Sequence, residues 1–321
     1  MGITQQQALE CFASGDLLGI GMEADAFRRS LHPDAVVGYT VICPLDTTSP
    51  VELACASVRK SLSIGATGLI LQVNVQQQPH LAHYEKVLSG IKQRFPGVWL
   101  HGFAATQILT LASSAGIALR DALARLQAAG LDSIDSYAII LDDSIRAHLA
   151  PENSSTAAWI SVHRTAHQLG LRSSASMVFG VGETPEQRVN HLEILRQLQQ
   201  DYGGFFSFTP LAYQSRLGIA GISNVPEPTA IDYLTTLAIS RLYLENIPHI
   251  QGSWPNQGIQ MLQVGLRFGS NDVGSVQIDE QSSKPGEAGE EELRRIIRQA
   301  GFKPVERDIP YRTLFLHESR S

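Results

Sequence analysis

Residues 174–214 read SASMVFGVGETPEQRVNHLEILRQLQQDYGGFFSFTPLAYQ. The segments Ser173–Phe179 and Phe205–Pro210 are short and mostly apolar, and their composition is typical of buried strands. Between them, Thr184 is a capping residue, Pro185 stands at the first helical position and Gln187 follows three residues after the cap, which predicts a helix over Pro185–Gln200. A strand, a helix and a second strand in this order predict a parallel strand pair, because parallel neighbours need a long crossover connection.

The same alternation continues along the rest of the chain and predicts an α/β fold. About seven or eight strand–helix repeats in about 250 residues favour a closed (β/α)8-type, TIM-like barrel over an open sheet. The other predicted strands are Tyr39–Cys43, Gly68–Val73, Val98–Phe103, Asp132–Tyr137, Ile250–Trp254 and Gly274–Ile278. The other predicted helices are Val51–Ile64, Leu81–Arg94, Ala105–Ala129, Ser155–Leu169 and Pro228–Asn246.

We expect residues 1–321 to form one domain with three parts. Residues 1–36 form an N-terminal cap, in which two helices near residues 4–14 and 22–31 cover the base of the barrel. Residues 37–280 form the barrel. Residues 281–321 form a C-terminal α/β extension, which starts with the polar linker Gln281–Glu290 and continues into a helix with acidic residues first and basic residues last.

Composition excludes several classes of protein. Apolar residues make up 43% and charged residues 17%, which supports a large buried core and excludes a disordered chain or a coiled coil. The net charge is -6 without a basic block, so no nucleic-acid partner is expected. No apolar run approaches the ~20 residues of a membrane span. The start MGITQQQALE lacks a signal-peptide pattern, and three widely spaced cysteines fit a reducing compartment, so we expect a cytoplasmic protein.

Active sites of parallel barrels lie at the C-terminal ends of the strands. Polar and aromatic residues with few formal charges follow the predicted strands, and such a mouth suits a neutral, flat, hydrogen-bonding small molecule. Its members are Gln72, Asn74, His101, Phe103, Asp135, Ser136, Tyr137, Ser176, Thr209, Tyr213, Gln214, Gln251, Ser253, Trp254, Asn271 and Asp272.

Two other motifs are weak. Gly180-Val181-Gly182-Glu183-Thr184 lacks the third glycine of a dinucleotide-binding loop and is more typical of a strand-to-helix turn. His163 and His167 are four residues apart, but the stretch HRTAH lacks the glutamate of a zinc-protease motif. We therefore interpret both histidines as packing residues and predict no metal ligands.

Several long segments resemble a known family. SASMVFGVGETPEQRVNHLEILRQLQQDYGGFFSFTPLAYQ, RLYLENIPHIQGSW and LRFGSNDVGS resemble the radical-SAM family of menaquinone biosynthesis by the futalosine pathway, and they are most similar to the pattern of cyclic dehypoxanthine futalosine synthase. The resemblance extends from GDLLGIGMEADAFRRSLHPDAVVGYTV to FKPVERDIPYR. It implies the barrel fold, a [4Fe–4S] cluster, S-adenosylmethionine and a ribose-bearing or aromatic substrate. It also adds Gln107 and Glu183 to the candidate substrate-binding residues.

The chain departs from that family where the family binds its cofactors. The family holds its cluster through Cys-x3-Cys-x2-Cys after the first strand, whereas here Cys43 runs through Pro44–Pro50 into a predicted helix that contains Cys55. The glycines that approach S-adenosylmethionine are replaced by Val73 and Asn74, and a glycine-rich stretch with a glutamate is replaced by 135–139 (DSYAI). We therefore expect no cofactor.

These departures leave three hypotheses. The first is an enzyme with non-radical acid–base chemistry (a cyclisation, elimination, isomerisation or hydrolysis) on a futalosine-like or related compound, with His101 or Asp272 as general base and Asp135 or Tyr137 as acid. The second is a non-catalytic paralogue that binds the pathway intermediate or associates with an active menaquinone-pathway enzyme. The third is a radical-SAM cyclase whose cluster comes from a partner subunit.

Overall fold

The computed structural model describes residues 2–78, 80–149, 155–215, 225–277 and 289–316. The central element of these residues is a curled sheet of parallel strands. The strands are β1 (Val36–Asp46), β2 (Gly68–Gln72), β3 (Leu100–His101), β4 (Ser133–Ile134), β5 (Arg172–Phe179), β6 (Phe205–Ala212), β7 (His249–Ile250) and β8 (Asp272–Gln277).

The sheet closes on itself. Neighbours pair in chain order from β1 to β7, all in parallel, and β8 pairs with the other edge of β1. A parallel bridge between Gln251 and Asp272 joins the end of β7 to β8, and Gly252 N donates to Asp272 O at 2.8 Å. The predicted (β/α)8-type barrel is therefore confirmed.

The helices surround the barrel and carry one main hydrophobic core. Helix α9 begins after Thr184 with the predicted capping box and packs on β5. The helices are α1 (Gln5–Ser14), α2 (Leu17–Leu31), α3 (Val51–Ser63), α4 (Leu81–Arg94), α5 (Ala105–Ala115), α6 (Leu119–Ala129), α7 (Asp143–Leu149), α8 (Thr156–Gln168), α9 (Pro185–Tyr202), α10 (Ala230–Tyr243), α11 (Trp254–Gln257), α12 (Ile259–Gly265) and α13 (Glu290–Gln299).

Two helix predictions were wrong. The segment Ala105–Ala129 forms two helices, because Gly116 adopts a left-handed conformation (φ 63°) that ends α5 and turns the chain into α6. The N-terminal helices lie mainly beside the barrel, and they contact its base through His32 at the end of α2, whose Nε2 is 2.8 Å from Pro248 O. Helix α2 packs along α10, and α1 packs against α9 and α10, in the outer helical layer. The predicted linker Gln281–Glu290 lies largely outside the described residues.

The C-terminal extension closes the base instead. Strand β9 (Lys303–Arg307) pairs in parallel with the first residues of β1, and β10 (Thr313–Leu316) pairs antiparallel with β9. The segment that joins β9 to β10 lies across the starts of the barrel strands. Ile309 is so close to Gly68 at the start of β2 that a Cβ on Gly68 would be 2.8 Å from it, and the Tyr311 ring stacks on His249 at the start of β7 with centroids 3.8 Å apart.

A buried ion pair attaches this segment to the barrel. Arg307 Nε donates to Asp272 Oδ2 at 2.5 Å, and Arg307 Nη2 donates to Asp272 Oδ1 at 2.6 Å, with side chains 5% and 0% exposed. Asp272 Oδ1 also accepts from Gly274 N at 2.7 Å. Asp272 is the first residue of β8, so the prediction that it lies at the mouth of the barrel was wrong. Its carboxylate is at the base and is occupied by Arg307.

We expect Asp272→Asn to lower the free energy of unfolding by about 3–5 kcal/mol, because it leaves the Arg307 guanidinium buried without its counter-ion. The double variant Asp272→Leu/Arg307→Met should lose less than Asp272→Asn, since it buries no unpaired charge. Urea unfolding followed by circular dichroism measures both.

The exposed Arg125–Glu85 pair (2.7 Å) is the matched control, and Glu85→Gln should cost less than about 1 kcal/mol. Equal losses for Asp272→Asn and Glu85→Gln would contradict the structural role of the buried pair.

Candidate functional site

The interior of the barrel contains a cavity of about 150 Å³. Its walls differ in character. Strands β1 and β2 contribute mainly aliphatic side chains, whereas β3 and β5 to β8 contribute mainly polar groups, and the C-terminal segment forms the floor. The lining residues are Thr40, Ile42, Ile70, His101, Ser174, Phe206, Ser207, Gln251, Gly274, Ser275, Arg307 and Ile309.

The floor is held by contacts around Tyr311. Its ring lies under the Arg307 guanidinium, 3.8 Å from centroid to Cζ, and its hydroxyl accepts from Gln251 Nε2 at 2.7 Å. Tyr311 has φ 69°, a left-handed conformation that is unfavourable for a non-glycine residue, and it is held there by these contacts. The floor is therefore a specific structure with a defined geometry.

His101 is the titratable group that reaches the cavity from the barrel wall. Its Nδ1 is 2.8 Å from Ser133 Oγ, and Trp99 Nε1 donates to the same oxygen at 2.8 Å. Nε2 has no recorded partner among the described residues, and the side chain lines the cavity. Burial lowers the pKa of His101 below its ordinary 6.5, while the Asp135 carboxylate partly opposes this shift. His101 is therefore neutral at pH 7.

Asp135 and Tyr137 lie just after the end of β4. Asp135 Oδ1 accepts from Tyr137 N at 3.1 Å, so the carboxylate shapes its own turn. Tyr137 is 46% exposed, and both burial and the Asp135 charge raise the pKa of its hydroxyl. The structure brings Asp135 within electrostatic range of His101, as expected for groups at the mouth, and places Asp272 at the opposite end of the barrel.

Thr209 and Gln251 form a polar wall on the β6–β7 side. Thr209 Oγ1 donates to Gln251 Oε1 at 2.8 Å, and Gln251 Nε2 also lies 3.5 Å from Ser207 Oγ. With the bond to Tyr311, these contacts fix the Gln251 amide between the barrel wall and the floor. Of the two predicted residues, Gln251 therefore lines the cavity, and Thr209 supports its amide from β6.

Several other predicted substrate-binding residues use their polar atoms within the fold. Asn74 Oδ1 accepts from two amides of its own turn, and Ser176 Oγ connects β5 to the segment after β4. Gln107 caps α5 and donates to Val73 O at 2.9 Å. The Glu183 side chain is 0% exposed and binds the Gly180 and Val181 amides and the Arg188 guanidinium.

The late predicted residues are also largely structural. Asn271 lies at the base with Asp272, where its Oδ1 accepts from Arg241 Nη2 at 2.6 Å. Trp254 Nε1 donates to Ser275 O at 3.2 Å, and Ser253 N donates to the Tyr233 hydroxyl at 2.9 Å. Tyr213 is a 5% exposed core residue. Gln72 is the last residue of β2 and is exposed at the mouth. Gln214 lies two residues after β6 and is half-buried.

Sequence reasoning missed the residues of the floor. Arg307, Ile309 and Tyr311 belong to a segment 30 or more residues beyond β8, and no rule of barrel architecture places such a segment inside the barrel. It also missed Ser174 and Ser207, which line the cavity from β5 and β6. A signal was available on β6, where Ser207 and Thr209 alternate with Phe208.

His163 and His167 are packing residues, as predicted. The His163 ring stacks on Trp159 with centroids 3.8 Å apart, and its Nδ1 is 3.0 Å from Trp159 O. The described residues contain no group of three or more His, Cys, Asp or Glu side chains arranged to hold a metal ion. No helix of the described chain is long and apolar enough to cross a membrane.

The three thiols lie on different elements. Cys11 is on α1, Cys43 on β1 and Cys55 on α3, where its Sγ donates to Gly90 O at 3.5 Å. Burial raises the pKa of the Cys11 thiol, with Glu23 and Glu10 adding to the shift, so Cys11 is protonated at neutral pH. A [4Fe–4S] cluster needs Cys thiolates at its irons. The described residues do not fit the cluster, and we assign no chemical step to it.

Comparison with known proteins extends over nearly the whole chain. A family model described as the CofH/MqnC C-terminal region matches residues 202–319. Aminodeoxyfutalosine synthase of Thermus thermophilus is 36% identical over 82% of this chain and 73% of its own length. The 5-amino-6-(D-ribitylamino)uracil–L-tyrosine 4-hydroxyphenyl transferase of Methanothermobacter thermautotrophicus is 35% identical over 97% of this chain and 94% of its own length.

Cyclic dehypoxanthine futalosine synthase of Streptomyces coelicolor is 28% identical over 98% of this chain and 86% of its own length. That alignment runs over 347 positions, more than the 321 residues of this chain, so the relative has residues without a counterpart here. Among solved structures, methylornithine synthase has a TM-score of 0.69 at 14% identity and covers 95% of this chain and 94% of its own, which shows a common fold.

The relatives correct the expectation about cofactors. They are radical-SAM enzymes, a class that works with a [4Fe–4S] cluster and S-adenosylmethionine, so the prediction that no cofactor is involved was wrong. With relatives at 35% and 36% identity over most of its length, this chain belongs to the radical-SAM family of the futalosine-pathway synthases.

Proposed function

We propose that the barrel cavity binds a small molecule with a hydroxylated, ribose-like part and a flat ring, and that the chain carries out acid–base chemistry on it at His101. The observation that carries this proposal is the composition of the cavity wall. Hydroxyl, amide and imidazole groups (Ser174, Ser207, Gln251 and His101) face aliphatic side chains across one small space. Such a wall binds hydroxyl groups on one side and an apolar ring face on the other.

The volume of the cavity sets how much of a ligand it holds. At about 150 Å³ it is smaller than the ~300–1,000 Å³ typical of small-molecule pockets. One part of a two-part compound therefore fits inside, and the other part lies at the mouth near Gln72 and Tyr137. The names of the relatives support this class, because they specify futalosine derivatives and a ribitylaminouracil.

The reaction we propose for the chain's own residues is polar. His101 is neutral and has one ring nitrogen at the cavity, and the Asp135 carboxylate lies near enough to influence it. A neutral imidazole and a carboxylate are sufficient for the proton transfers of a cyclisation, elimination, isomerisation or hydrolysis. The carboxylates of Asp272 and Glu183 are held by Arg307 and Arg188, so neither is a proton-transfer group in this proposal.

A second candidate function is binding without turnover, by a paralogue of the active synthases. It is favoured by the same two ion pairs. They occupy the Asp272 and Glu183 carboxylates, so that of these predicted acidic residues only Asp135 remains for proton transfer near His101. Under this alternative the chain binds the pathway intermediate, or associates with a menaquinone-pathway enzyme that transforms it.

We expect purified protein to bind dehypoxanthine futalosine or 5-amino-6-(D-ribitylamino)uracil in isothermal titration calorimetry. Gln251→Ala should weaken binding about 3- to 10-fold, as expected for the loss of a hydrogen bond worth about 0.5–1.5 kcal/mol. Gln93→Ala, on the exposed face of α4, is the matched control and should leave the affinity unchanged.

Product formation then separates the two functions. Assays should run anaerobically, both with and without reconstitution by iron, sulfide and S-adenosylmethionine. Product in either condition supports an enzyme, and binding without product in both supports the paralogue. If neither compound binds, the proposed ligand class is wrong.

The pH dependence tests the state of His101. Because burial lowers the pKa of His101 below its ordinary 6.5, protonation of the ring is centred at a more acidic pH. Any change of ligand affinity that depends on His101 should therefore have its midpoint below pH 6.5. A midpoint at or above pH 6.5 that disappears in His101→Gln would contradict this assignment.

A further inference from the structure

The Ser133 side chain is buried between the Trp99 and His101 rings, and these two contacts determine the direction of its hydroxyl proton. The side chain is 0% exposed on β4, and its Oγ has two recorded partners, Trp99 Nε1 at 2.8 Å and His101 Nδ1 at 2.8 Å. Both partners come from β3 or the residue before it, so the contact joins two neighbouring strands. No other hydrogen-bond partner of this oxygen is recorded among the described residues.

The Trp99 indole and the His101 imidazole differ in whether they can accept a hydrogen bond from Ser133. An indole N–H only donates, so Ser133 Oγ must accept from Trp99 and cannot direct its proton there. A neutral imidazole nitrogen either donates or accepts, depending on which nitrogen holds the ring proton. If Nδ1 held it, the Ser133 oxygen would accept twice and its own proton would be buried without an acceptor, which is unfavourable.

We propose that Ser133, oriented by Trp99, holds His101 as the neutral tautomer protonated at Nε2, so that the ring presents an N–H donor to the barrel cavity. Ser133 donates to Nδ1, and the single ring proton lies on Nε2. The group that this donor recognises is an oxygen acceptor, such as a carbonyl, a hydroxyl or a ribose ring oxygen. The assignment of the tautomer stands on the protein alone, whereas the ligand oxygen rests on the proposed function.

This inference reverses the expected role of His101. With Nδ1 occupied by Ser133 and Nε2 protonated, the neutral ring has no lone pair facing the cavity and cannot accept a proton there. It polarises a ligand oxygen by hydrogen bonding, and in the proposed acid–base chemistry the group that accepts the proton is the Asp135 carboxylate, whose charge acts on His101. Ser133 and Trp99 are positioning residues in this arrangement, because they act through His101.

A second buried histidine serves as an internal reference. His191 Nδ1 accepts from Leu141 N at 3.0 Å and its Nε2 faces Ser176 O at 3.1 Å, which requires a proton on Nε2. Burial lowers the pKa of His191 to about 3, so its ring is neutral at pH 7.

The test is a long-range ¹H–¹⁵N correlation spectrum of the ligand-free protein between pH 6.5 and 8, with histidines assigned by substitution. We expect the His101 cross-peaks to match the pattern of His191, whose ring proton lies on Nε2. The pattern of a ring protonated at Nδ1, or of a doubly protonated ring, would overturn the proposal. In Ser133→Ala the preference should weaken, with a shift of His101 towards the other tautomer. An unchanged spectrum in that variant would show that Ser133 does not set the tautomer.

Two substitutions test the donor to the ligand. Glutamine places an amide N–H near the position of Nε2, whereas asparagine places one near Nδ1. With 5-amino-6-(D-ribitylamino)uracil as probe, His101→Gln should retain affinity within about 3-fold, and His101→Asn should lose about 10-fold. Equal losses in both variants would refute donation by Nε2. If neither this probe nor dehypoxanthine futalosine binds wild-type protein, the proposed function fails, while the spectrum still decides the tautomer.

Discussion

The pairing of Arg307 with Asp272 in the base of the barrel is the interaction on which the interior depends. An unpaired charge at either position would be buried without solvent, so each residue requires the other. The pair joins the start of β8 to the end of β9 and thereby holds the following segment across the base. Without it, nothing else recorded for the described chain would neutralise Asp272, and Tyr311 would lose the guanidinium over its ring. The barrel would then be open at both ends.

Closure at the base determines what the cavity presents to a ligand. Tyr311 contributes a hydroxyl that fixes Gln251, and Ile309 completes the aliphatic wall formed by Ile42 and Ile70. The base also sets the depth of the cavity, because the floor lies level with the starts of the barrel strands. A compound that enters from the mouth therefore meets His101 part-way down the barrel and reaches the floor only with its inner portion.

Patterns within short sequence segments were sufficient to predict the strands and helices of the barrel, but they were insufficient to predict which residues meet in its interior. The strand after Gly170 and the helix after Thr184 follow from residues within one short segment, and the structure has both. The prediction of one helix over Ala105–Ala129 failed because Gly116 adopts a left-handed conformation that ends α5 there. Asp272 was placed at the mouth although it precedes the predicted strand Gly274–Ile278, and its partner Arg307, 35 residues further along the chain, carries no local signal. Ser133 was overlooked for the same reason: its role exists only where Trp99 and His101 converge on it.

The charges of the interior cancel, and this restricts what it recognises. Arg307 is neutralised by Asp272, and His101 is neutral because burial lowers its pKa. The remaining polar side chains that line the cavity carry no charge at any ordinary pH; they are Thr40, Ser174, Ser207, Gln251 and Ser275. A phosphate or carboxylate placed there would lose its hydration without gaining an unpaired cation, and that loss costs several kcal/mol (~2–7 even for an uncharged polar group left unpaired). Under the proposed function, discrimination between ligands therefore depends on the direction of hydrogen bonds, and the proposed position of the His101 ring proton sets one of those directions.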